Sequence, residues 1–144
     1  MERSDAGFRT FRDFYLAVDD QLPMLLSREL RGFSVARLGR VYKVWYERPR
    51  HHYELWFRDG GLEVAYHLEG PPEADEPVAR LLTPRLGSLR RSLGGDVKLE
   101  PFGPGWTRLF ELWAGVTTRT PGLATDAADR LGEYVRALEP VLRR

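Results

Sequence analysis

The chain has 144 residues, 42% of them apolar and 12% aromatic, which suits one globular α+β domain over 1–144 with a core of its own. It has no cysteine, which excludes disulfides and thiolate metal sites. Its 22 basic and 21 acidic residues leave a formal charge of +1, too balanced for a dedicated polyanion binder.

The basic residues are 20 arginines and only two lysines, Lys43 and Lys98. The arginines are scattered, as a general compositional bias would leave them. The first residues, Met1-Glu2-Arg3-Ser4-Asp5, are charged and do not resemble a signal peptide. No apolar run approaches the ~18 residues that span a bilayer, so a cytoplasmic protein without membrane contact is expected.

In chain order, residues 4 to about 30 read as helical, with Ser4 or Asp5 as cap and Gly32 as stop. Phe8, Phe11, Phe14 or Tyr15, Val18 and Leu22 recur at helical spacing, while Pro23 demands a kink or a new start. From residue 41 the period changes to two. Val41–Tyr46 is rich in β-branched and aromatic residues, Pro49 ends it, and Tyr53–Arg58 and Leu62–Glu69 flank Asp59-Gly60-Gly61, a strong hairpin signal.

Two registers keep the apolar residues of this hairpin on one face. A turn at Gly60-Gly61 pairs Phe57 with Val64, and sets Arg58 against Glu63, Glu54 against His67 and His52 against Glu69. A turn at Asp59-Gly60 shifts the pairing by two and sets His52 opposite His67. A three-residue turn would put the apolar residues on opposite faces and is rejected.

Gly70-Pro71-Pro72-Glu73 reads as a loop, and Pro77 as a helix start with Asp75 and Glu76 at its positive end. Val78 to Leu93 carries a helical stripe that Pro84 and Gly87 interrupt and Gly94-Gly95 closes. Val97–Glu100 and Trp106–Ala114 read as strands about a turn at Phe102-Gly103-Pro104-Gly105. A last helix, capped by Thr125, carries Ala124, Ala128, Leu131, Val135, Leu138 and Leu142 on one face. The expected order is α-β-β-β-α-β-β-α, an α+β fold whose antiparallel sheet has its helices on one face.

Familiar catalytic signatures are missing: there is no P-loop, no Gly-x-Gly-x-x-Gly and no Gly-x-Ser-x-Gly elbow. A restriction-nuclease core needs Glu-x-Lys, and Lys98-Leu99-Glu100 runs the wrong way. The richest constellation is the outer face of the central hairpin: His52, Glu54, Trp56, Arg58, Glu63, His67 and Glu69. Two imidazoles and two carboxylates there can hold a divalent ion, and the same residues also suit a solvated face of paired charges. His51 and His52, as strand neighbours, point to opposite faces. Trp56 lies opposite Leu55 and Phe57, where it is either an interface anchor or part of a second small core. Arg80, Arg85, Arg90 and Arg91 read as the solvated side of a helix.

The element order resembles the secretion-chaperone-like fold, whose small α/β protomers dimerise and bind extended protein segments. The hairpin, Ser88–Gly94 and the closing Leu138-Glu139-Pro140-Val141-Leu142 also look like a small bacterial domain joined to nuclease or defence proteins, over residues 50 to 143. Neither resemblance transfers a catalytic residue, and a shared fold does not license a function. The expectation is a non-enzymatic binding module, a homodimer engaging a protein partner through Trp56, His52, Glu54, His67, Glu69 and Arg58, without a cofactor or metal. The alternatives are a nucleic-acid-binding accessory protein in a defence or processing system, and a metal-dependent hydrolase using His52, Glu54, His67 and Glu69.

Overall fold

A computed structural model describes residues 6–143. Six strands form one antiparallel sheet: β1 (Ser34–Leu38), β2 (Val41–Trp45), β3 (His51–Arg58), β4 (Gly61–Leu68), β5 (Lys98–Phe102) and β6 (Trp106–Ala114). Their spatial order is β1-β2-β3-β4-β6-β5, so β3 and β4 are central and β1 and β5 are the edges. Helices α1 (Phe11–Gln21), α2 (Pro72–Leu82), α3 (Leu86–Leu93) and α4 (Leu123–Leu142) cover one face, giving the α+β architecture read from the sequence.

Alternation decides what the two faces of the sheet carry. Tyr53, Leu55 and Phe57 of β3 and Leu62, Val64, Tyr66 and Leu68 of β4 turn toward the helices and are buried with Phe14, Tyr15, Val18, Leu131, Tyr134, Val135 and Leu138. Their partners in alternation, His52, Glu54, Trp56, Arg58, Glu63 and His67, lie on the face without helices.

The hairpin takes the second of the two registers. Phe57 pairs with Leu62, Leu55 with Val64 and His52 with His67, about a turn at Asp59-Gly60. Both turn residues have positive φ, 51° and 71°, as a type I′ turn requires. Gly61 is therefore a strand residue, and the neighbouring strand shows why it is a glycine. A Cβ there would lie 2.3 Å from the Trp113 carbonyl oxygen across the β4–β6 pairing. The turn thus falls at Asp59-Gly60, a dipeptide that type I′ turns favour, and not at Gly60-Gly61.

Element boundaries differ elsewhere. The first helix spans only Phe11–Gln21, capped by Thr10, whose hydroxyl accepts from the Asp13 N–H at 3.0 Å. The Ser4 and Asp5 caps lie outside the described residues. Pro23 opens a 3₁₀ turn, Leu22–Leu25, rather than kinking a long helix. Strand β1 lies in a stretch not read as a strand; it is an edge strand, largely exposed, with Arg37 paired to Asp19 of α1. Helix α2 begins at Pro72, where a missing N–H costs nothing, and Pro77 falls inside it. Helix α4 starts at Leu123 after Gly122 and runs through Pro140 to Leu142. Among the described residues no helix is long and apolar enough to cross a membrane.

Candidate metal centre

Both strands of the central hairpin carry His-x-Glu. In β3 it is His52 and Glu54; at the end of β4 it is His67 and Glu69. Alternation keeps each His and its Glu on the same face, and the register sets His52 directly opposite His67. The four side chains converge, each offering one ligand atom, with all four atoms within 4.8 Å of one another. His52 Nε2 lies 3.0 Å from Glu54 Oε1 and 3.7 Å from Glu69 Oε2; His67 Nδ1 lies 2.7 Å from Glu69 Oε2 and 3.5 Å from Glu54 Oε2. Atoms bound to one ion at about 2.1 Å are at most about 4.2 Å apart, so small side-chain rotations bring all four onto a single ion.

The ring nitrogens that face away from this centre are occupied. His52 Nδ1 donates to the Pro49 carbonyl at 2.8 Å, and His67 Nε2 to Glu63 Oε2 at 2.6 Å. An outward N–H held by a carbonyl or a carboxylate fixes tautomer and ring orientation, which is how metal-binding histidines are commonly set. For His52 the consequence is direct. With its proton on Nδ1, a neutral ring presents the Nε2 lone pair to the Glu54 carboxylate, and two acceptors at 3.0 Å need a cation between them, a proton or a metal ion.

Glu63 is the anchor of the outer layer. It is fully buried, accepts from His67, takes two hydrogen bonds from Arg58 at 2.9 and 2.7 Å, and takes a third from Arg108 Nη1 at 2.8 Å. Burial alone would raise its pKa, but His67 and the two guanidinium groups outweigh it and hold the carboxyl below its ordinary value. Glu69 is likewise lowered: burial opposes ionisation, and His67, His52 and Lys43 overcome it. Burial disfavours the His67 cation, yet hydrogen bonds to Glu63 and Glu69 and the charge of Glu54 push it up to about 9.

His52, Glu54, Glu63 and His67 are all 3% exposed or less, on a face that no helix covers. Neighbours within the sheet shield them. The Phe102 ring centroid is 4.7 Å from that of His67, and Arg108 stacks over Phe102 and Phe110. Phe102, read from the sequence as part of a turn, is the last residue of β5.

Of the residues singled out in the sequence, His52, Glu54, His67 and Glu69 come together. Arg58 braces Glu63 and Asp59 and stacks on Trp56, its guanidinium carbon 5.2 Å from the ring centroid. Trp56 is half-buried, opposite Glu63 in the register. The three charge pairs read for this face all occur, Arg58 with Glu63, Glu54 with His67 at 3.5 Å and His52 with Glu69 at 3.7 Å, although the register differs. His51, on the other face, donates from Nε2 to Asp75 Oδ1 of α2 at 2.7 Å. Arg85 and Arg90 each give one hydrogen bond, to the Leu81 and Val97 carbonyls.

Sequence reasoning did not name Pro49, Arg108 or Phe102 as parts of this centre. Pro49 and Arg108 act through a backbone carbonyl and a register that only the assembled sheet defines. The repeated His-x-Glu was the available signal for the four central residues. Comparison with family models, with curated proteins and with solved structures gives no match.

Proposed function

We propose that this chain is a divalent-metal protein whose ion is held by His52, Glu54, His67 and Glu69. The observation that supports it is the pair of oriented imidazoles: each outward nitrogen is engaged by Pro49 or Glu63, and each inward nitrogen meets carboxylates at 2.7–3.7 Å. A face of merely paired charges has no need to bury two histidines and two glutamates together, since desolvation opposes it. Two imidazoles and two carboxylates without thiolate suit Mn²⁺, Fe²⁺, Co²⁺ or Zn²⁺ over soft ions. On four protein atoms, an octahedral ion keeps two positions for outside ligands, the arrangement a metal-dependent enzyme such as a hydrolase uses to bind or activate water.

The test is titration of the chelator-treated full chain with Mn²⁺, Co²⁺ and Zn²⁺, followed by calorimetry and by the visible spectrum of the cobalt form. One ion per chain is expected, with binding abolished in His52→Ala and His67→Ala and retained in His51→Ala. Absence of stoichiometric binding, or binding that survives both substitutions, overturns the proposal.

A second reading, a docking face for a protein partner or a second copy, is supported by apolar residues on the same uncovered side. Leu38 is 60% and Leu112 40% exposed there, alongside half-buried Trp45 and Trp56. It is tested through Trp56, below.

A further inference from the structure

The two lysines of the chain both lie on the uncovered face, and one of them borders the metal centre. Lys43 of β2 pairs with Glu54 in the register, and its Nζ lies 4.0 Å from Glu69 Oε1. That distance is too long for a hydrogen bond, and Lys43 donates none to any described side chain. The two arginines that border the centre are already engaged. Arg58 is bonded to Glu63 and Asp59, and Arg108 to Glu63.

Charge counting then isolates Lys43. A divalent ion is matched by Glu54 and Glu69, and Arg58 and Arg108 are matched by Glu63 and Asp59. Once Glu69 is bound to the ion, the Lys43 ammonium has no carboxylate of its own. It is a compact point charge with three donors, beside an ion that keeps open positions.

We infer that the ligand of this centre is an oxyanion, a carboxylate or phosphate group, with one oxygen on the ion and another on the Lys43 ammonium. The aromatic rings of Phe102 and Trp106, 5.6 Å apart, extend the wall beyond His67 and suit a ligand with an apolar body behind the anionic group. This inference rests on the metal reading and adds the ligand's chemical class and the residue that selects it.

The experiment uses the full chain loaded with Co²⁺, titrated with inorganic phosphate and, separately, with acetate, and followed by the visible spectrum. Lys43→Gln, Lys43→Arg and, as a control on the same face, Lys98→Gln are compared. At least one anion is expected to bind the loaded protein and not the metal-free protein. Loss of a charge-assisted contact in Lys43→Gln weakens that binding about tenfold or more, Lys43→Arg restores part of it, and Lys98→Gln leaves it unchanged. Cobalt affinity stays within about threefold in all three variants. The relative strength of phosphate and acetate distinguishes the two oxyanion classes. Loaded protein that binds neither anion, or binds them equally well after Lys43→Gln, overturns the inference while leaving the metal site standing. Equal binding to metal-free protein overturns it as well and assigns the anion to the arginines. Failure of cobalt to bind removes the metal reading itself and this inference with it.

Discussion

The two faces of the β3–β4 hairpin are made of the same two strands in alternation, and both are dry, but for opposite reasons. The face toward the helices is buried by a second layer, with Tyr53, Leu55, Val64 and Tyr66 closed over by α1 and α4. The other face has no second layer, yet His52, Glu54, Glu63 and His67 are as inaccessible as the core. Apolar burial is favourable by itself, so the first face explains its own existence. Burial of ionisable groups is costly unless each is paired, so the second face needs a further reason, and a metal ion is one. The difference is that the inner face explains itself by folding alone, while the outer face is where the proposed binding function would reside.

Substitutions on the inner face should break this comparison in the direction of stability. Leu55→Ala removes a fully buried side chain between two central strands and is expected to cost about 2–5 kcal/mol in denaturant unfolding. Its cost should be equal with and without metal. A variant whose loss depends on metal would mean that the faces are coupled.

Metal loading sharpens the comparison from the other side. On the proposed function ions bind the assembled centre and not the unfolded chain, so at free metal about a hundred times Kd the wild type should gain about 2.7 kcal/mol. The double variant His52→Ala/His67→Ala should gain nothing, which thermal unfolding with and without chelator measures. Glu63→Gln keeps all four ligands but weakens the group that orients His67. Its metal affinity should fall about 10- to 100-fold, as for other residues that support ligands from behind.

The metal-free protein should also respond to pH through the outer face. The His67 pKa is raised from 6.5 to about 9, so its stabilisation is complete below 6.5 and is lost as pH rises through about 9. Glu63 and Glu69 are lowered from 4.5, so their stabilisation is present above that value and is lost as pH falls through their folded pKa values. Metal-free protein should therefore be most stable between about 4.5 and 6.5 and should lose stability on the alkaline side. His67→Gln should flatten that alkaline loss, as thermal unfolding across pH shows.

The inner face was legible in the sequence because apolar alternation is a local property. Leu55, Val64 and their neighbours could be assigned to one side before any partner strand was known. The outer face was legible only as a set of residues. Both registers place His52, Glu54, His67 and Glu69 together, but they differ in which histidine meets which group. The turn at Asp59-Gly60 chooses between them, and what the local sequence does not state is why Gly61 is a glycine: β6, about fifty residues later, passes 2.3 Å from where its Cβ would be. Strand β1 was hidden for a related reason: as an exposed edge its pattern is weak, and its pairing with β2 supplies what its sequence does not. Prolines mark helix boundaries only loosely: Pro72 opens α2, while Pro77 and Pro140 are tolerated inside α2 and α4.

Trp56 separates the two readings of the outer face with the smallest expected effect. It is half-buried, stacks with Arg58 and stands opposite Glu63, outside the four ligands. If the face serves the ion, Trp56→Ala should cost about 1 kcal/mol or less, because no second layer packs on the ring, and should leave metal affinity within about threefold. If the face docks a protein or a second copy, the same substitution removes an anchor and should raise the dimer or partner Kd about tenfold or more, measured by sedimentation across concentration, with stability again little changed. A loss above about 3 kcal/mol would contradict both expectations, because it would make Trp56 a core residue of a side that carries charged groups at its centre.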